Sequence, residues 1–79
     1  MTINIKTQSG SLYKVYERDG KVFVSKGALF DAEIVRLRRP IKEGGILEAD
    51  LKKYNMYMEA EKDYAYIRTT KIVTLEITM

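Results

Sequence analysis

Ser11-Leu12-Tyr13-Lys14-Val15-Tyr16-Glu17-Arg18, then Asp19-Gly20, then Lys21-Val22-Phe23-Val24-Ser25 is the stretch that decides the fold. Both flanks are rich in β-branched and aromatic residues, which suit a pleated, half-buried surface. Asp-Gly between two such runs is the pairing favoured in two-residue type I′ turns, so the stretch predicts a β-hairpin. Toward the N-terminus, Ile3 and Ile5 mark another extended segment, separated from Leu12–Arg18 by Gln8-Ser9-Gly10, where the glycine can take the positive φ of a tight turn. Toward the C-terminus, Lys26-Gly27 breaks the run and residues 28–39 resume it, with Ile34, Val35 and Leu37 among charges. Pro40 biases Arg39 toward extended geometry and ends the strand.

Lys42-Glu43-Gly44-Gly45 is a loop by composition. Beyond it two periods compete. Leu47, Leu51, Tyr54 and Met58 form a helical stripe, with Glu48 and Lys52 spaced for an i,i+4 pair, while Tyr54, Met56, Met58 and Ala60 alternate as in a strand. A helix through residue 62 would strand Met56 and Tyr57 off the stripe, so the expectation is a short helical turn at residues 48–53 followed by a strand. Glu61-Lys62-Asp63 then turns into a strand from Tyr64 to Thr69. A last strand, Lys71 to Thr78, places Val73, Leu75 and Ile77 on one face. Six or seven short strands with a turn signal every eight to twelve residues predict a mainly β fold in one domain spanning 1–79. The architecture expected is a small antiparallel barrel or sandwich, SH3-like or OB-like.

Composition bounds the function. The 79 residues are 46% hydrophobic and 32% charged, the balance of a soluble globular chain. A chain of this size buries only about 60% of its unfolded surface, so the core must be thin. No apolar run approaches the ~18–20 residues that span a bilayer, and the polar start lacks a signal peptide's apolar stretch; no membrane partner and a cytoplasmic location are expected. With neither Cys nor His, the chain lacks disulfides, the usual zinc ligands, a thiol nucleophile and the ordinary triad base. Stability must come from packing, strand pairing or self-association.

The pieces Thr7-Gln8-Ser9-Gly10-Ser11-Leu12-Tyr13 and Ile67-Arg68-Thr69-Thr70-Lys71-Ile72-Val73-Thr74-Leu75-Glu76-Ile77 resemble the opening and closing strands of small β-domain proteins encoded by bacteriophages and other mobile elements. Together they cover 18 residues. The resemblance implies a compact β domain and transfers no site residue.

The net charge of +3 is unevenly spread. Residues 1–39 carry eight Lys/Arg against four Asp/Glu, a balance of +4, and residues 40–79 carry six against seven, a balance of −1. Strand alternation puts Arg36 and Arg38 on one face, joined by Arg39, while Lys14 and Arg18 share a face of an earlier strand. These five cations could compose one basic stripe, with Tyr13, Tyr16 and Phe23 nearby as stacking rings for a nucleic acid. The competing interpretation pairs the same cations with Glu17, Asp31 or Glu33 on a solvated face, and makes the rings cross-strand packing.

A third feature points elsewhere. Both faces of the 11–18 strand carry apolar bulk, Leu12 and Tyr16 on one side and Tyr13 and Val15 on the other, and Tyr57 stands opposite Met56 and Met58. Such surfaces favour self-association or docking to another protein. The carboxylate pairs Asp31/Glu33 and Glu59/Glu61 lack the arrangement of a glycosidase or divalent-cation site and read as surface charge, and Gly44-Gly45 lacks the pattern of a phosphate loop. No enzyme activity, cofactor or metal is implied. The expectation is a small non-catalytic binding domain for nucleic acid, with a structural or protein-interaction module, homo-oligomeric and of phage or mobile-element origin, as the alternative.

Overall fold

Asp19 and Gly20 both take positive φ, 54° and 76°, and bring Arg18 opposite Lys21: the hairpin at the centre of the sequence forms with the type I′ turn its residues favour. The structure, a computed structural model, describes residues 1–52 and 64–79. Among these are six strands: β1 (Thr2–Thr7), β2 (Leu12–Arg18), β3 (Lys21–Lys26), β4 (Phe30–Leu37), β5 (Ile46–Lys52) and β6 (Tyr64–Thr78). Each pairs antiparallel with the next, and β6 returns to β1, so the sheet closes into a barrel without a crossover. The described residues are all β, a small antiparallel barrel rather than a sandwich.

Closure depends on one long, bent strand. β6 pairs with β5 from Tyr64 to Lys71 and with β1 from Ile72 to Thr78, and the register shifts by one residue in each ladder, on either side of the handover. A residue inserted in one strand bends it and adds twist, which a small barrel needs at its corners. At the first shift Thr69 and Ile72 both face inward and are buried; at the second, Val73 is the extra residue and is exposed. β4 carries a third shift at Val35, also exposed, where it passes from β3 to β5. The expected break between Thr69 and Lys71 is therefore absent, replaced by a bulge inside a continuous strand. The expected common face of Val73, Leu75 and Ile77 holds for Leu75 and Ile77, which pair with Ile5 and Ile3.

The short helical turn expected at 48–53 is not formed over its described part, because residues 46–52 are β5. Leu47, Ala49 and Leu51 point inward and are buried, while Glu48, Asp50 and Lys52 alternate outward, so the period of two prevails. Residues 53–63, which include the Met56/Met58 alternation, Tyr54, Tyr57 and Glu59/Glu61, lie outside the described residues.

The interior is filled by Ile5, Val15, Val24, Ala32, Leu47, Ala49, Leu51 and Ile72. Two loops seal the barrel where β6 changes partner. The β1–β2 turn donates from the Gln8 amide to the Lys71 carbonyl at 2.7 Å and from the Ser9 amide to Thr70 Oγ1 at 3.2 Å. From the β4–β5 loop, the Gly44 amide donates to the Ile72 carbonyl at 2.9 Å and the Ile72 amide to the Gly45 carbonyl at 2.7 Å. Gly44 sits at φ 83°, a conformation that a side chain would strain.

Candidate nucleic-acid interface

The alternation that buries one side of each strand sends the other to the barrel's outer surface, and the predicted cations divide there into two groups. On β2, Lys14, Tyr16 and Arg18 face outward; across β3 their neighbours are Ser25, Phe23 and Lys21. The next strand sets Asp31 beside Ser25 and Glu33 beside Phe23. Carboxylates therefore stand between Lys14 and the arginines of β4, and the five cations do not compose one stripe.

The β2–β4 group is a packed surface. Phe23 stacks on Tyr16 with ring centroids 5.5 Å apart and planes at 15°, and the Arg18 guanidinium lies 4.7 Å from the Phe23 centroid. Packed against Tyr16 and Arg18, Phe23 is only 6% exposed although its strand position faces outward. The Tyr16 hydroxyl donates to Asp31 Oδ1 at 2.6 Å, and this bond raises the hydroxyl's pKa. Tyr13 belongs to the opposite face: it pairs with Ile5, packs against the core and has the Lys26 ammonium 5.4 Å from its ring centroid. Tyr13 and Phe23 are thus spent on packing, and Tyr16 is half-buried.

The second group, on β4–β5–β6, is built differently. Arg36 lies opposite Asp50 and Asp50 opposite Tyr66, giving a row of cation, acid and ring across three strands. One step along, the Arg38 amide donates to the Glu48 carbonyl at 2.9 Å and Glu48 lies opposite Arg68, a row of cation, acid and cation. Asp50 Oδ2 accepts from Arg36 Nε at 3.1 Å, and Oδ1 accepts from Arg38 Nε at 3.2 Å and Nη2 at 3.0 Å. Glu48 Oε1 accepts from Arg39 Nε at 2.7 Å, and its Oε2 accepts from the Tyr66 hydroxyl. The Arg38 guanidinium also lies over the Tyr66 ring, 5.1 Å from its centroid.

In this group the acids form the floor and the arginines the rim. The side chains of Glu48 and Asp50 are 12% and 22% exposed, those of Arg36, Arg38 and Arg39 64%, 43% and 57%. An open depression of about 590 Å³ lies here, lined by Arg36, Leu37, Arg38, Arg39 and Glu48. The hydrogen bond from Tyr66, then that from Arg39, holds the Glu48 carboxyl below its ordinary pKa; that from Arg38 does the same for Asp50. Tyr66 is shifted upward by its bond to Glu48.

Arg36, Arg38 and Arg39 are brought together as expected, but their partners are Asp50 and Glu48 rather than Glu17, Asp31 or Glu33. Asp31 and Glu33 are engaged with Tyr16 and Lys21 instead. Tyr66 and Arg68 complete the face and were not among the expected site residues. The signal for them is the alternation of Leu47-Glu48-Ala49-Asp50-Leu51-Lys52, which makes residues 47–52 a strand and sets its acids between β4 and the alternating pair Tyr66 and Arg68. Among the described residues no cluster of three or more Asp or Glu side chains could hold a metal ion. Comparison with protein-family models, curated proteins and solved structures finds no match.

Proposed function

We propose that this chain is a small non-catalytic binding domain whose outer β4–β5–β6 face docks the phosphates of a nucleic acid. One observation carries this reading: among the described residues, the guanidinium groups of Arg36, Arg38, Arg39 and Arg68 surround two carboxylates, Glu48 and Asp50, so four positive charges against two negative leave these six groups with a balance of +2. Each guanidinium has five N–H donors, and the carboxylates engage one or two from each of Arg36, Arg38 and Arg39. The donors that remain suit phosphate oxygens, which arginine can grip with paired bonds. Exposed ion pairs are worth only about 0–1 kcal/mol each, so a phosphate can draw a guanidinium off its carboxylate at little cost.

The test is an NMR titration of labelled protein with short oligonucleotides at low and near-physiological salt. Shifts clustered on residues 36–39, Tyr66 and Arg68 that fade with salt support the reading. Replacing Arg36 and Arg38 by alanine then weakens binding and lowers the salt slope by about 1 for each phosphate no longer neutralised. An unperturbed spectrum at low salt sinks it.

A structural or protein-interaction role, with the barrel as a homo-oligomeric accessory of a mobile element, is the second reading. Leu12, Leu29 and Ile77, 65%, 76% and 54% exposed, favour it. Scattered exposed apolar residues are ordinary on monomers, which places it second. A mass that rises with protein concentration, together with silence toward oligonucleotides, would reverse the order.

A further inference from the structure

We infer that the β4–β5–β6 face takes single-stranded rather than double-stranded nucleic acid, with the Tyr66 ring as the platform on which one base stacks. This rests on the nucleic-acid reading and adds the class of ligand. Tyr66 is 50% exposed, yet its ring is held at two points. Its hydroxyl is bonded to Glu48, which Arg39 grips in turn, and the Arg38 guanidinium lies over the ring 5.1 Å from its centroid. A ring fixed in this way has already lost its rotamer freedom, so little ordering entropy opposes a base packing against its exposed part.

The surroundings place phosphate contacts around that ring. Tyr66 and Arg68 follow each other on the outer face of β6, about 7 Å apart along the strand, and Arg36 lies across β5 in the same row as Tyr66, about 10 Å away. Cations on two sides of a ring match a strand whose phosphates run past while one base turns inward. A duplex keeps its bases stacked inside and offers this outer face its backbone, so the ring would add nothing to the charge attraction. Tyr66 is exposed where two of the expected stacking rings are not, since Phe23 packs against Arg18 and Tyr16, and Tyr13 packs on the core.

The experiment titrates the full chain with a short oligothymidylate and with a DNA hairpin carrying the same number of phosphates, its strands joined by a non-nucleotide linker so that every base is paired, both at low salt. The protein is expected to bind the oligothymidylate about tenfold more tightly than the hairpin, and Tyr66→Leu to bring the ratio of the two affinities to about one. Tyr66→Phe, which keeps the ring and loses one of its two anchors, retains most of the preference; if it falls as far as Tyr66→Leu, the ring is not what binds and the inference fails. Should Tyr66→Leu not fold, the Tyr66 ring protons of the unaltered protein report instead, moving upfield with oligothymidylate and not with the hairpin. Equal affinities with unmoved ring protons overturn the single-strand inference and leave the nucleic-acid reading standing. Binding to neither ligand removes both.

Discussion

Thr69 Oγ1 accepts the amide hydrogen of Leu47 at 3.0 Å, taking the role that a strand carbonyl plays elsewhere in the ladder. It does so where the β5–β6 register slips, and its own hydroxyl donates to the Thr70 carbonyl at 2.8 Å. The buried bulge therefore leaves the Leu47 amide satisfied. Thr69→Val keeps the shape and removes the acceptor, so it should cost about 1–3 kcal/mol, a large share of the stability of so small a domain. Thr69→Ser, which keeps the hydroxyl, should cost less. Urea unfolding of the two variants checks this, and equal losses would show that the methyl group rather than the bond matters.

Glu48 and Asp50 connect the outer face to pH. Tyr66 and Arg39 lower the carboxyl pKa of Glu48, and Arg38 lowers that of Asp50. A carboxyl whose folded pKa lies below its unfolded value contributes stability that is complete above the unfolded value and is lost as pH falls through the folded one. The loss should therefore begin near pH ~4 and continue below it. Carbon-detected NMR of the side-chain carboxyls should find both midpoints below about 3.9 for Asp50 and about 4.3 for Glu48, and Arg39→Gln should move that of Glu48 back upward. Midpoints at the ordinary values would mean that the ion pairs are not populated in solution.

Val73 and Leu75 separate a bulged strand from a regular one. Simple alternation puts both inside, whereas the barrel exposes Val73 and sets Leu75 against the core, opposite Ile5. Val73→Ala is expected to change stability by less than about 0.5 kcal/mol and Leu75→Ala to cost about 1–2 kcal/mol. Comparable losses at the two positions would require an unbroken pleat through residues 71–78.

These residues also show how far the sequence can be read. The β2–β3 hairpin is legible because Asp19-Gly20 and the alternation on both sides agree, and Gly10 and Gly44 mark turns that form. The bulges are not, since Val35, Thr69 and Val73 are ordinary strand residues and a one-residue insertion leaves no mark in composition. A coincidence obscures β5: Leu47 and Leu51 satisfy a period of 3.6 as well as a period of two, and Ala49, the inward residue between them, is too small to stand out. The site inherits that ambiguity. Arg36, Arg38 and Arg39 announce themselves as a cluster, but Glu48, Asp50, Tyr66 and Arg68 join it only after β5 is laid between β4 and β6.

The pairing of β6 with β1 has a consequence for the order in which the chain can assemble. Thr2 lies opposite Thr78, so the pairing that shuts the barrel links positions from the two extremes of the sequence. The β2–β3 turn joins neighbours and can form early, whereas this seam closes a loop from residue 2 to residue 78. Until it closes, β1 and the second half of β6 are open edges able to pair with other chains. Folding speed and resistance to aggregation therefore depend on the last strand, and destabilising it should slow closure more than any change in the central hairpin.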